Sequence, residues 1–401
     1  MGGADTLKMN IGIVGGSIAG TALGDRLLQS GHRVEILERS ASDLEDRGLG
    51  IAMDPSVAGT LGVDFGIPIH QRVVFDRTGV VRWRQALSKR TVRWSAVHEV
   101  LASTLPEGIV HRGTNVLEVG IEDDLAWVRT ESGNRQEFDL VVGADGIGSR
   151  VREAVDPDFK PEFLGYVAIR GLIPVEALPP EAGPVREAML DGSMVNGYLD
   201  RSHVVAYPIE SPAGDVLVNW MWYRNTTMED LGGLLGTGEP KAHRWSLPPG
   251  GIPAAHLETF RREASESMPA SMSSILRSSD SWSLQAIHGG IASRAVSGRL
   301  VLIGDANRIA IPHVGAGTSM AIIDARSLAA AIDGSDGELD RRLDRWAEVR
   351  RGETGDAISF GRDLGRFLQY SGTEWTTWTP EDYDRWWTEL RAGRRLYFES
   401  S

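Results

Sequence analysis

The sequence lacks cysteine altogether, so disulfide bonds, thiolate nucleophiles and cysteine-bound metal centres are excluded. It also lacks any apolar run close to the roughly 20 residues that a membrane-spanning helix needs. The opening residues, MGGADTLKMN, contain no apolar stretch typical of a secretory signal. These absences predict a cytoplasmic protein with no membrane partner.

Basic residues are in the minority. The 401-residue chain has 42 Lys and Arg against 55 Asp and Glu, a formal net charge of -13. No basic block stands out, so neither nucleic acid nor an anionic membrane is an expected partner. The nine histidines are scattered along the chain, and no metal site is predicted.

Tryptophan, by contrast, is abundant, with 12 residues. Trp375, Trp378, Trp386 and Trp387 lie in a charged and aromatic C-terminal tail. The tail is open to three interpretations: a lid, a contact between two copies in a homodimer, or packing within one chain. Packing or a homodimer contact is favoured, because an aromatic cluster is more often buried than functional.

The stretch MNIGIVGGSIAG, near the start, is typical of a nucleotide-binding fold. An apolar strand at 11–14 leads into a glycine turn, a helix over 19–29 and a second strand that ends in an acid. This order is typical of a doubly wound fold, in which the helix start binds a pyrophosphate and the acid binds ribose hydroxyls. The residues predicted to bind the cofactor here are Gly15, Ser17, Ile18, Ala19, Gly20, Glu38, Arg39 and Gly50.

Two further glycine motifs each follow an apolar strand. GADG, at 143–146, precedes a helix start and places Asp145 on the cofactor side. RLVLIGDANRIAIPHVGAGTSMAIIDA, at 299–325, ends a strand on an acid and leads through a Gly- and Pro-rich loop to a helix start, whose partial positive charge suits an electron-rich ring. The residues assigned to the cofactor in this motif are Gly304, Asp305, Ala306, Pro312, Gly315, Ala316 and Gly317.

The number of anchors indicates which dinucleotide is bound. A nicotinamide dinucleotide needs only the first glycine turn. A flavin dinucleotide is longer, because it carries a ribityl chain and a three-ring system, and it needs the second and third motifs as well. FAD is therefore the predicted cofactor.

The character of the chain changes between about 165 and 290. GYVAIRGLIP, NGYLDRSHVVAYPIE and DVLVNWMWYRN read as strands separated by turn residues. The predicted fold is α/β, with a Rossmann-like FAD-binding domain, an inserted antiparallel-sheet substrate domain and C-terminal helices. The predicted boundaries are 1–164 and 299–365 for the two parts of the FAD-binding domain, 165–298 for the substrate domain and 366–401 for the helical tail.

In order and spacing, VGGSIAG, VVGADGIGSRVR and RLVLIGDANRIAIPHVGAGTSMAIIDARSLAAAI resemble the three FAD motifs of the group A flavoprotein aromatic hydroxylases, which have the p-hydroxybenzoate hydroxylase fold. The resemblance covers roughly residues 9–365. The middle strands are most similar to the branch that hydroxylates dihydroxypyridines. Three positions depart from the family pattern: Asn307-Arg308 replaces Ala-His, residues 315–319 replace a Gly-Gln-Gly-x-Asn loop, and Trp94 stands where a helix usually opens with arginine.

The resemblance implies a monooxygenase. NAD(P)H would bind transiently and reduce FAD, and O2 would add to the reduced flavin as a C4a-hydroperoxide. One oxygen atom would then pass to an electron-rich aromatic or heteroaromatic small molecule. The same cofactor chemistry also serves epoxidation or the oxidation of an indole or alkene. Halogenation is less favoured, because the Trp-x-Trp-x-Ile-Pro motif of flavin halogenases is only partly matched at 220–222.

Candidate residues for the substrate lie on the middle strands. Trp220 and Trp222 share one face of their strand, and Arg170, His203 and Tyr207 lie on neighbouring strands. Arg170, Trp220 and Trp222 are predicted to contact the substrate. The predicted catalytic side chains are His203, Tyr207 and His313, of which the last lies in the third glycine motif. For each of the sheet residues, packing within the sheet is the competing interpretation.

Overall fold

The computed structural model describes residues 8–42, 49–61, 66–236, 245–394 and 396. Within these ranges the strands are β1 (Asn10–Val14), β2 (Arg33–Glu38), β3 (Gly50–Met53), β4 (Ile67–Phe75), β5 (Val81–Arg93), β6 (Val110–Arg112), β7 (Val116–Glu122), β8 (Leu125–Thr130), β9 (Arg135–Phe138), β10 (Leu140–Gly143), β11 (Glu162–Pro174), β12 (Ser193–Leu199), β13 (Ser202–Glu210), β14 (Val216–Asn225), β15 (Ser246–Leu247), β16 (Trp282–Ile291), β17 (Val296–Ser297), β18 (Leu300–Leu302) and β19 (Arg308–Ile309).

The α-helices follow the same chain order. They are α1 (Ile18–Gln29), α2 (Pro55–Gly59), α3 (Trp94–Ser103), α4 (Arg150–Val155), α5 (Gly183–Leu190), α6 (Met228–Leu234), α7 (Ala254–Ser267), α8 (Ala270–Arg277), α9 (Gly317–Asp333), α10 (Leu339–Tyr370) and α11 (Pro380–Arg391). Short 3-10 turns at Gly304–Ala306 and Pro312–Val314 interrupt the third glycine motif. Among the described residues, no helix is long and apolar enough to cross a membrane.

The chain divides into two compact units, each built from three stretches of sequence. Unit 1 comprises Met1–Arg47, Trp94–Glu162 and Gly289–Ile358, and unit 2 comprises Gly48–Arg93, Phe163–His288 and Ser359–Ser401. The boundaries predicted from the sequence grouped 48–93 with the first domain, whereas its strands lie in unit 2. The reason is strand pairing, because β4 pairs with β12 and β5 pairs with β3 and β4.

Unit 1 contains a six-stranded sheet with the order β17-β18-β10-β1-β2-β6. The pairs β18–β10, β10–β1, β1–β2 and β2–β6 are parallel. Ile11 and Ile13 are fully buried, as expected for a parallel strand with both faces covered. A separate antiparallel sheet, β7-β8-β9, completes the unit.

Unit 2 contains a larger sheet with the order β15-β16-β11-β14-β13-β12-β4-β5-β3. The pairs that join β11, β14, β13 and β12 are antiparallel, as predicted, but β4 pairs with β12 in parallel. One face of this sheet packs against side chains of α5, α6, α7 and α8 to form the core of the unit.

The aromatic tail packs within unit 2. Tyr383 of α11 stacks on Trp83 of β5 with ring centroids 5.6 Å apart. The ring centroids of Trp375 and Tyr198 of β12 lie 4.8 Å apart, and the Trp375 indole N–H donates to the backbone carbonyl of Leu199. Of the three interpretations of the tail, these contacts favour packing within one chain.

Candidate functional site

The three glycine motifs meet at one edge of the unit 1 sheet. Val14 is in register with Gly143, and Gly143 with Leu302, so the turns that follow β1, β10 and β18 leave the same edge. A Cβ on Gly15, which has φ +105°, would lie 2.4 Å from the carbonyl oxygen of Ala144. The first and second turns are therefore in direct contact, and only glycine fits at this position.

The start of α1 is open for an anion. Gly20 packs so closely on the turn that a Cβ there would lie 1.9 Å from the carbonyl oxygen of Gly15. Ile18 and Ala19 are buried in the first turn of the helix. Ser17, the N-cap residue, makes no side-chain capping bond to any residue that the structure describes. A helix start without a cap retains backbone N–H groups for a phosphate.

Glu38 organises the first glycine turn. One carboxylate oxygen accepts a hydrogen bond from the backbone N–H of Gly16, and the other accepts from that of Ser40, both at 2.8 Å. The side chain is 6% exposed. Arg39, predicted to bind the cofactor, is exposed at the end of β2. The role of both residues in cofactor binding stays a prediction.

Asp145 carries an unpaired oxygen. Its Oδ2 accepts from the backbone N–H of Arg150 at 2.7 Å, but its Oδ1 is buried and has no partner among the described residues. Burial raises the pKa of this carboxyl group above its ordinary value. An orphaned acceptor at the edge where the three turns meet is suited to a hydroxyl group of a ligand.

A buried arginine, Arg152, hydrogen-bonds to the backbone of the Gly304–Ala306 turn. Gly304 has φ +56°, in the left-handed region. The guanidinium of Arg152 donates to the backbone carbonyl oxygens of Asp305 and Ala306, at 3.3 and 3.0 Å. The Asp305 side chain reaches solvent, yet desolvation by the surrounding atoms raises its pKa to about 6, against the opposing charges of Arg152 and Arg308.

The loop after this turn ends at a second uncapped helix start. Gly315 adopts the left-handed conformation, φ +58°, and the buried Ala316 precedes Gly317, the first residue of α9, without a side-chain cap. Pro312 is exposed. Burial lowers the pKa of His313 to about 3, which favours the neutral imidazole at physiological pH, and its catalytic role stays a prediction.

Three residues of unit 1 that contact the predicted motifs were missed by the sequence analysis. His98, buried on α3 and stacked on Trp94, hydrogen-bonds through Nε2 to the carbonyl oxygen of Gly16 at 2.9 Å. Arg152 supports the third turn, and Asp324 accepts a hydrogen bond from the backbone N–H of Gly304 at 3.1 Å. Periodicity places His98 and Asp324 on buried helix faces, but it does not reveal backbone partners that are distant in sequence.

In unit 2, Gly50 is the centre of a polar cluster. Its backbone N–H donates to Oδ1 of Asn219 at 2.8 Å, and its carbonyl oxygen accepts from the Tyr207 hydroxyl at 2.8 Å and from Arg170 at 2.9 Å. A Cβ at Gly50 would lie 2.8 Å from Cγ of Asn219. The predicted role of Gly50 in cofactor binding stays a prediction, and Asn219 is a further residue that was not among the predicted site residues.

This cluster retains donors without partners. Nε of Arg170 and Nδ2 of Asn219 are buried and have no hydrogen-bond partner among the described residues. Burial raises the pKa of Tyr207 to about 12, so its hydroxyl stays protonated and donates to the Gly50 carbonyl. The cluster is thus rich in donors, and an acceptor group would satisfy it.

His203 lies on the same face of the sheet as Tyr207, four residues earlier on β13. It is 1% exposed, its ring stacks on Tyr223 with centroids 4.3 Å apart, and Nδ1 lies 2.8 Å from Nε2 of Gln369. Its surroundings are those of a packed polar residue. The structure does not place His203 in the Gly50 cluster, and its catalytic role stays a prediction.

Trp220 and Trp222 lie on the other face of the sheet, in the core of unit 2. The Trp220 indole donates to Oγ of Ser279 at 2.6 Å and packs edge-to-face on Trp282. The Trp222 indole donates to Oγ of Ser202 at 2.9 Å. Beside Trp220 is a small cavity lined by apolar side chains. This placement favours packing over the predicted substrate contact for both tryptophans.

Known proteins similar to this chain include monooxygenases and hydroxylases. A family model described as FAD binding domain-like matches residues 163–289. The 2,6-dihydroxypyridine 3-monooxygenase of Paenarthrobacter nicotinovorans is 27% identical over 386 residues, which cover 90% of this chain and 92% of that protein. Salicylate hydroxylase of Pseudomonas putida is 27% identical over 380 residues, which cover 86% of this chain and 82% of that protein.

A solved structure has a similar fold. The structure of 2,6-dihydroxypyridine-3-hydroxylase from Arthrobacter nicotinovorans matches with a TM-score of 0.84 and 24% identity, covering 99% of this chain and 100% of that chain. The α/β fold class and the family resemblance predicted from the three motifs are confirmed. The homologues and structural neighbours of this chain include monooxygenases of the 2,6-dihydroxypyridine 3-monooxygenase and salicylate hydroxylase type.

Proposed function

We propose that this protein is an FAD-dependent, NAD(P)H-using monooxygenase that inserts one oxygen atom from O2 into an electron-rich aromatic or heteroaromatic small molecule. The observation that carries the proposal is the convergence of three glycine turns at one sheet edge, in a chain that is similar over most of its length to a 2,6-dihydroxypyridine 3-monooxygenase and a salicylate hydroxylase. A cytoplasmic location and a homodimer remain predictions from the sequence.

The residues of unit 1 fit FAD by their chemistry. The uncapped start of α1 supplies N–H donors for a pyrophosphate, and the unpaired Oδ1 of Asp145 supplies an acceptor for a hydroxyl. Asp305 would accept from the ribityl hydroxyls, and the start of α9 would stabilise negative charge on the reduced ring. When bound, FAD accepts a hydride from NAD(P)H and activates O2.

The Gly50 cluster of unit 2 fits the substrate. Arg170 and Asn219 offer unpaired buried donors, and Tyr207 remains a neutral hydroxyl. These groups would orient a ring that carries an oxygen or carboxylate acceptor. They would also lower the pKa of a ring hydroxyl, because a cation and N–H donors stabilise its anion. A deprotonated ring hydroxyl makes the ring carbons more electron-rich, as oxygen insertion requires.

The test is the oxidation of NADH and of NADPH by the purified, FAD-loaded protein, in the presence of hydroxypyridines, phenols, hydroxybenzoates and indoles. We expect at least one hydroxylated ring to accelerate oxidation and to yield a product sixteen mass units heavier. Oxidation that no compound accelerates, although FAD is bound, would contradict the proposal. Acceleration by an unsubstituted ring as strong as that by its hydroxylated analogue would contradict the assigned role of Arg170 and Asn219.

A further inference from the structure

A buried charge cluster lies directly beneath the Gly304–Ala306 turn of unit 1. Asp324 on α9 is 0% exposed, and its two carboxylate oxygens are shared by two arginines that are also buried. Oδ2 is paired with the guanidinium of Arg308, and Oδ1 accepts from Nε of Arg350 at 2.8 Å. The same Oδ2 accepts from the backbone N–H of Gly304 at 3.1 Å. One buried carboxylate therefore joins α9, α10 and the turn.

Stability alone does not account for this cluster. Burying an ion pair costs about as much in desolvation as the attraction returns, and apolar side chains of similar volume often serve as well. A buried pair that also binds the backbone of a ligand-binding turn is better explained by an action on the ligand.

We propose that Asp324 and Arg308 are positioning residues for FAD, which fix the Gly304–Ala306 turn and set the electrostatic potential that the flavin experiences. The inference rests on the proposed function, since it requires FAD at this turn. The reaction affected is the hydride transfer FAD + NAD(P)H → FADH⁻ + NAD(P)⁺, in which the flavin gains two electrons, one proton and a net negative charge. A positive charge nearby favours the reduced form, and a negative charge disfavours it.

The two members of the pair already act in opposite directions at the neighbouring acid. Arg308 lowers the pKa of Asp305, and Asp324 raises it. Both are buried, so solvent screens them little and their fields extend beyond direct contact. Removing either charge should therefore change the flavin's reduction potential, with a sign that depends on which charge is lost.

The test uses the full-length protein loaded with FAD and measures two quantities: the FAD dissociation constant, from the quenching of flavin fluorescence, and the midpoint potential, from reduction by dithionite with a reference dye. In Arg308→Gln we expect a lower potential, and in Asp324→Asn a higher one. Both substitutions should weaken FAD binding about tenfold or more, because Asp324→Asn removes the charged acceptor for the Gly304 N–H and Arg308→Gln removes the cation that holds this carboxylate in place. Arg308→Lys keeps the charge and should retain the wild-type potential.

Glu353→Gln is the matched control. Glu353 contacts Arg350 but is exposed, so its charge is screened and its removal should leave the potential unchanged. Potentials that move in the same direction in Asp324→Asn and Arg308→Gln, or that do not move, would overturn the electrostatic role. If Asp324→Asn does not fold, the midpoint potentials of Arg308→Gln and Arg308→Lys still test the proposal. Equal potentials in these two variants would overturn it. Wild-type protein that does not bind FAD would instead refute the proposed function.

Discussion

Replacing Asp305 with asparagine should change stability and FAD binding in opposite directions. The carboxyl pKa is raised from 3.8 to about 6, mainly by desolvation. Between these values the folded protein binds more protons than the unfolded chain, so its free energy of unfolding falls as pH rises through this window. Asparagine has nearly the same shape and no charge, and it removes this penalty.

The size of the effect follows from the pKa shift. A shift of about two pKa units corresponds to about 3 kcal/mol in the free energy of unfolding. Asp305 reaches solvent, however, and screening reduces that figure, so we expect Asp305→Asn to stabilise the FAD-free protein by about 1 kcal/mol above pH 7. Below pH 4 the Asp305 side chain is protonated and is therefore neutral, like asparagine, so the stabilisation should disappear. FAD binding should weaken by about 1–3 kcal/mol, because a charged acceptor for the ribityl hydroxyls is lost.

The assay is thermal unfolding of wild-type and Asp305→Asn apoprotein from pH 4 to pH 8, together with titration of each with FAD. The expected result is a difference in Tm that grows between pH 4 and pH 7, with weaker FAD binding by the variant. A Tm difference that is constant with pH would refute the assigned pKa. Unchanged FAD affinity would remove Asp305 from the cofactor site.

Four further substitutions test other parts of the account. Glu38→Ala should weaken FAD binding by about 1–3 kcal/mol, because it releases the Gly16 and Ser40 N–H groups, and equal affinity in a fluorescence titration would contradict this. Gly50→Ala places a Cβ 2.8 Å from Cγ of Asn219 and should reduce substrate-stimulated NAD(P)H oxidation, and a wild-type rate would contradict the assigned role of the Gly50 cluster. Arg170→Met should raise the KM of a hydroxylated ring about tenfold to a hundredfold, and an unchanged KM would exclude contact. Trp220→Phe should lower the free energy of unfolding by about 1–3 kcal/mol and leave the KM unchanged, since Trp220 packs in the core; a raised KM at wild-type stability would restore its substrate role.

The FAD motifs were predictable from the sequence because their signal is local. A strand, a glycine turn and a helix follow one another within about twenty residues, and the positive φ at Gly15, Gly304 and Gly315 explains each glycine. The three turns meet at one edge because the parallel strands that precede them end there. The fold class was predictable for the same reason.

The supporting residues were not predictable, because their partners are distant in sequence. His98 binds a carbonyl oxygen 82 residues away, and Arg152 binds one 154 residues away. The strands of 48–93 carry no signal that assigns them to unit 2, because strand pairing is decided by the rest of the sheet. The two faces of β14 are both buried around Trp220, so alternation alone did not show which face packs in the core.

The central claim is that one atom of O2 enters an aromatic substrate. The most direct measurement is turnover under ¹⁸O2, with the FAD-loaded protein, NAD(P)H and the compound that most accelerates NAD(P)H oxidation, followed by mass spectrometry of the product. We expect a product eighteen mass units heavier than the substrate, with a single ¹⁸O atom on the ring. A product without ¹⁸O, or NAD(P)H oxidation that yields only labelled hydrogen peroxide for every compound, would contradict it.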